Sequence, residues 1–225
     1  MGLFNRIRGN RIESQLESDE YRVVDKAMEK IKDPNEILDI ARNHNNPVAR
    51  GAAAERIYDE KIAFDIAKND NNRYVRYVAV YNINDEALLL HFINDVDEDV
   101  RLRVTSKINN PNFLKIIAKS DRSPKVRLEA VKKIDDNNFL KEVFEEEEDD
   151  EIRSIALSAI DDVSILKDIA KNNSDNNFGF VAALKIRDKS AITKYLRAKG
   201  QDEQAIDELL KKVDEIGDIN EFFVI

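Results

Sequence analysis

Five arginines recur along the chain at nearly constant spacing, Arg50, Arg76, Arg101, Arg127 and Arg153. A repeated guanidinium is a repeated anion-binding group. Such a ladder can take the anions of a partner or pair with carboxylates of its own chain. Asp70, Asp95 and Asp121 each stand six residues before one of these arginines, so internal pairing is the expected use, because a planar guanidinium and a carboxylate form two parallel hydrogen bonds in fixed geometry. A second concentration of chemistry begins at Asn71, where NNRYVRYVAVYN carries Arg73, Tyr74, Arg76, Tyr77 and Tyr81, with Tyr58 a little earlier. Tyr and Arg dominate the energetics of protein interfaces. They also suit base stacking, but a formal net charge of -9 and the absence of Trp argue against nucleic acid. Tyr74 and Tyr77 flank the apolar Val75 and cannot both face a core.

The third concentration is acidic: Glu145 to Glu148 with Asp149, Asp150 and Glu151. Oxygen ligands of this kind suit calcium or magnesium, but neither the EF-hand spacing nor its turn glycine is present. A solvated helix end is the expected meaning, and no metal is assigned. Enzymatic constellations fare no better. The only histidines, His44 and His91, have no Glu beside them in sequence, and no phosphate loop, GxSxG elbow or HExxH occurs. With Cys 0 there is no disulfide, thiolate zinc site, iron-sulfur cluster or thiol nucleophile. The expectation is a protein that is not an enzyme, has no cofactor and resides in the cytoplasm. No apolar run approaches the roughly 20 residues that span a bilayer, so no membrane span is expected either.

The elements that hold these residues repeat. With Arg127 as position zero, equivalents fall at Val24, Arg50, Arg76, Arg101, Arg153 and Gly179, in steps of 26, 26, 25, 26, 26 and 26. Three residues on stand Ala27, Ala53, Ala79, Val104, Ala130, Ala156 and Ala182; seven on stand Ile31, Ile57, Ile83, Ile108, Ile134, Ile160 and Ile186. Together with the apolar residue just before zero this is an i, i+4, i+8 stripe, one face of a short helix A. Two residues past each Ile, Asp33, Asp59, Asp85, Asn110, Asp136, Asp162 and Asp188 supply N-caps for a helix B. Helix A is capped by Asn46, Asn72, Asp97, Ser123, Asp149 and Asp175, with Glu20 as a weaker first member. Pro34, Pro47, Pro111 and Pro124 each follow a cap, at the helix position where a missing N–H costs nothing. Helices this short are marginal alone, so the repeats must stack, and terminal copies need covers.

These periods give three segments: an N-terminal segment and cap over 1–19, an array over 20–200, and a C-terminal capping helix with an apolar tail over 201–225. The tail, Phe222 to Ile225, is expected to fold back over the last repeat.

The tandem helix pairs, with openings such as Asp-Glu-Asp-Val-Arg-Leu-Arg-Val from Asp97 and the Asp149 to Ala156 stretch, resemble HEAT repeats, and more closely the short HEAT-like repeats related to phycobilisome lyases. The likeness runs from Glu20 to about Gly200. It implies an all-α fold, an α-solenoid coiled as a right-handed superhelix of seven two-helix repeats with terminal capping helices and with the B helices on the concave side. It implies a binding scaffold, with a bilin-lyase-like or DNA-glycosylase-like subunit as the alternative. The paired His-Glu iron sites of deoxyhypusine hydroxylase, an enzyme of the same class, are absent.

On the B helices the position five after the cap carries Leu38, Phe64 and Leu90 in three successive repeats and then turns polar at Lys115, Lys141 and Lys167. Three apolar residues on an outward position predict a groove in the N-terminal half for an extended peptide or helix; a wider core stripe is the other reading. The expected function is a monomeric scaffold for a protein or peptide partner, using Leu38, Phe64 and Leu90 with Arg73, Tyr74, Tyr77 and Tyr81.

Overall fold

The computed structural model describes residues 11–216. Most of the N-terminal segment and the Phe222 to Ile225 tail lie outside the described residues. Among the described residues every regular element is a helix, and none is long and apolar enough to cross a membrane. The chain divides into two compact units, one ending at Asn110 and one beginning at Pro111.

The first unit holds α1 (residues 11–16), α2 (Tyr21–Met28), α3 (Pro34–Asn43), α4 (Pro47–Ala54), α5 (Glu60–Asn69), α6 (Arg73–Tyr81), α7 (Glu86–Leu89), continued by a tight 3-10 turn at Leu90–Phe92, and α8 (Glu98–Lys107). The second holds α9 (Pro111–Ser120), α10 (Pro124–Val131), α11 (Asn137–Glu146), α12 (Asp150–Ala159), α13 (Val163–Asn172), α14 (Asn177–Lys185), α15 (Lys189–Ala198) and α16 (Glu203–Glu215).

Caps set these boundaries. The Asp33, Asp59, Asp85, Asp136 and Asp162 carboxylates accept from amides two or three residues on, as do Asn46, Asn72, Asp97 and Asp149 at the A helices. Each such bond satisfies an amide that the helix itself leaves unpaired. All four prolines open a helix. Two expected caps differ: Glu20 and Ser123 make no side-chain capping bond. A third is displaced. The cap of α14 is Asn176 and not Asp175, because the chain first makes a turn in which the Asn176 N–H donates to the Asn173 carbonyl at 3.1 Å.

The apolar stripe of helix A is buried throughout the five middle repeats, as in Val75, Ala79 and Ile83, all 0% exposed. At the ends the helices rotate: Val24 is buried in α2, and Phe178 and Ile186 are only half-buried at α14. Periodicity fixes the repeat length but not its phase. Five B helices form a hairpin with the A helix that follows, α3 with α4 and α5 with α6 in the first unit, α9 with α10, α11 with α12 and α13 with α14 in the second. Within the first unit α2, α4, α6 and α8 pack side by side, whereas α3, α5 and α7 do not come as close to one another. Small residues permit this approach: Ala49, Ala52, Ala53 and Ala79 are fully buried, and Gly51 is buried beneath the Tyr74 ring. The covers are real helices. Leu16 of α1 is 2% exposed, and Ile206 and Val213 of α16 are buried.

Candidate functional site

The arginine ladder is internal. In the first unit Arg50 donates from Nε and Nη2 to both Asp70 oxygens at 2.6 and 3.0 Å, and Arg76 does the same to Asp95 at 2.8 Å each. In the second unit Arg127 grips Glu147 at 2.8 and 2.9 Å. The remaining guanidinium nitrogen of each arginine donates to a carbonyl in the turn before its own helix, His44, Asp70 and Asp121 among them. Each acid in turn accepts an amide two residues on: Asn72 for Asp70, Asp97 for Asp95, Asp149 for Glu147. One rung therefore ties two successive B-to-A turns together. The side chains of Arg76 and Asp95 are 11% and 9% exposed. Burial on its own would raise the Asp95 carboxyl, but the Arg76 hydrogen bonds, the Asp97 amide and the field of both arginines outweigh it and leave it below the usual range. The Arg127 hydrogen bonds likewise hold Glu147 low.

Glu147 also accounts for much of the acidic run. Asp149 caps α12, Asp150 pairs with Arg153 at 3.0 Å, and Glu146 lies 3.7 Å from Lys119. Two lysines of the B-helix stripe are similarly occupied, Lys115 on Asp136 at 2.5 Å and Lys141 near Glu145 at 3.9 Å.

His44 occupies the rung position six residues before Arg50. Its Nδ1 accepts from the Asn46 amide at 3.1 Å, the bond that the acids make elsewhere. Position zero of the preceding repeat is Val24 in place of Arg, and Nε2 instead faces Glu13 and Glu17 at 3.8 and 3.9 Å. These three groups are close enough to be compared with a metal site. The chemistry points elsewhere: Nδ1 spends its lone pair on an amide, so the ring proton belongs on Nε2, and a ligand would need that lone pair bare. Nε2 itself is buried without a hydrogen-bond partner. Asn46 completes the joint by donating to the Leu16 and Ser18 carbonyls at 2.7 and 2.8 Å.

The tyrosine stretch splits. Tyr74 lies over Gly51, where a Cβ would come within 2.2 Å of the ring. Burial, then Glu55 and Asp25, push its hydroxyl up to about 12. It is a packing residue. Tyr77 is half-buried, and Tyr81 is 61% exposed. Arg73 is exposed, with Asp97 at 3.4 Å. Two residues that sequence reasoning missed complete this face. Arg103 of α8 donates to the Tyr77 hydroxyl and sits 4.6 and 5.2 Å from the Tyr77 and Tyr81 ring centres. Lys107 donates to the Tyr81 carbonyl at 2.5 Å with its ammonium 5.5 Å from that ring. Both partners lie 26 residues after their tyrosine, a signal available in the repeat itself. Arg103 Nε is buried without a hydrogen-bond partner, and burial, with Arg103 beside it, lowers the Lys107 ammonium against a smaller opposing pull from Glu60.

Leu38, Phe64 and Leu90 are half-buried and lie on B helices, in the other layer from the tyrosines. The Phe64 ring is packed edge-on against His91 and Phe92, with centroids 5.1 and 5.6 Å away. For Phe64 the wider core stripe is therefore the better description than an open groove. The resemblance places B helices on the inner side, but within this unit the A helices are the more closely spaced.

No family model and no curated protein matches this chain. Among solved structures it is similar to the crystal structure of YibA from Escherichia coli, with a TM-score of 0.58 at 18% identity over 96% of each chain. At that identity the likeness concerns the fold alone.

Proposed function

We propose that the chain is a non-enzymatic scaffold of the HEAT-like kind, a right-handed solenoid of seven two-helix repeats closed by helices at both ends, which binds a protein or peptide partner on the face formed by α6 and α8. The observation that carries the reading is Tyr81, a large ring 61% exposed and backed by Tyr77, Arg103 and Lys107. Rigid aromatic rings beside cations are what interface hot spots are made of, since they offer contact area at small entropic cost. The regular features support a scaffold for the opposite reason. The ladder arginines of Arg50, Arg76 and Arg127 are spent on their own chain, which leaves binding to positions where copies differ.

The test is affinity capture from native lysate with the full chain, followed by affinity measurement on whatever is recovered. Tyr81→Ala should weaken the captured partner about 30-fold, the equivalent of about 2 kcal/mol for a hot-spot tyrosine, with an unchanged unfolding midpoint. Leu38→Ala should leave binding within about threefold. Recovery of a pigment or nucleic acid at a level indifferent to Tyr81 would sink the reading.

A further inference from the structure

We propose that the partner of this face is an acidic peptide segment, which lays an apolar side chain against Tyr77 and Tyr81 and sets carboxylates at Arg103 and Lys107. The inference rests on the partner-binding reading of the same face and adds the chemistry of the partner.

In the first unit Arg42 is paired with Asp65, Arg50 with Asp70, Arg56 with Asp25, Arg73 with Asp97 and Arg76 with Asp95. Among the described residues neither Arg103 nor Lys107 has a carboxylate oxygen within the 4.0 Å of an ion pair. They stand one helical turn apart on α8, so their charges add. What holds them is two tyrosine rings, one hydroxyl and one carbonyl. A guanidinium lying against rings keeps its charge while its Nε goes unpartnered. Two half-buried cations one turn apart disfavour each other: burial first, and then Arg103, lower the Lys107 ammonium. Glu60, the acid whose field reaches Lys107, has its oxygens taken by Asn84 at 3.2 Å and the Asp85 amide at 3.0 Å. An incoming carboxylate would relieve this pair.

Charge complementarity also limits the partner. In a chain of net charge -9 the seat is a local exception, so an acidic segment would find one register there and be repelled elsewhere. A nucleic acid, charged along its whole length, would meet that repulsion along its whole length.

The test is a selection of random peptides displayed against the immobilised full chain. The expected result is enrichment of Asp or Glu next to Leu, Phe or Tyr. Affinity should fall about tenfold or more when the acids of a selected peptide are changed to their amides, and should weaken as salt is raised. Arg103→Gln with Lys107→Gln in one chain, checked for an unchanged helical spectrum, should lose the same factor. If amide peptides bind equally well while Tyr81→Ala still weakens them, the acidic specificity is overturned and the face stands. If no selected peptide depends on Tyr81, both fall. Tighter binding of a single-stranded oligonucleotide than of any peptide would overturn the proposal in favour of a nucleic-acid partner.

Discussion

Asp95→Ala will lower the stability of the first unit by about 3–5 kcal/mol, the range for removing one partner of a buried ion pair. The change leaves the Arg76 guanidinium, 11% exposed, without the two bonds of 2.8 Å that neutralise it. It also strips the acceptor from the Asp97 amide at the start of α8. Asp95→Asn keeps an acceptor for that amide and should lose less. Replacing both members, Arg76→Met with Asp95→Leu, should recover most of the loss, since the penalty lies in the stranded charge and not in the missing attraction. Arg73→Ala, at an exposed pair of 3.4 Å, should cost under about 0.5 kcal/mol. Urea unfolding followed by circular dichroism separates the four. If Asp95→Ala matched Arg73→Ala, the ladder would be surface decoration.

The same rungs set the acid limit. Asp95 and Glu147 both titrate below their ordinary range in the folded chain. A carboxyl with a lowered folded pKa contributes stability that is complete above its unfolded value, about 4, and is lost as pH falls through the folded value. Acid unfolding should therefore steepen below about pH 4, and Asp95→Ala should flatten part of that slope.

How far these rungs were legible depended on residue type. Asp70 and Asp95 could be read from their spacing, because a short acid six residues before each arginine is both a turn former and a partner. Glu147 escaped as one member of an acidic run, although Arg127 singles it out. His44 escaped because a spacing rule written for acids does not see a ring that makes the same bond to the amide two residues on. The repeat length and most caps were legible, since both rest on bonds within a few residues. The phase of the hairpin was not: whether a B helix closes on the A helix before or after it depends on packing between turns. For the same reason Tyr74 and Tyr81 looked alike in sequence, and only the neighbouring helix decides that one covers Gly51 and the other faces outward.

Gly179→Ala should be the most damaging single methyl in the second unit. In helix interiors the exchange ordinarily stabilises by about 1 kcal/mol, and here the repeat itself offers arginine at this position. A Cβ on Gly179 would stand 2.0 Å from the Asn173 carbonyl oxygen and 2.4 Å from its carbon. That obstacle is backbone, so it cannot swing aside, and overpacking of this kind costs about 1–3 kcal/mol or somewhat more. The net loss should be about 2 kcal/mol, read from the same urea unfolding. Gly51→Ala meets only the rim of the Tyr74 ring, which can rotate outward, and should stay within about 1 kcal/mol of the parent. The contrast tests how the ladder ends. Where a further rung would need an acid at Asn173, the turn instead moves into the space that Gly179 leaves. Arg153 accordingly turns to the Phe144 carbonyl at 3.1 Å and to the Phe144 and Phe178 rings. If Gly179→Ala proved neutral, the close approach of that turn would not be what stops the ladder.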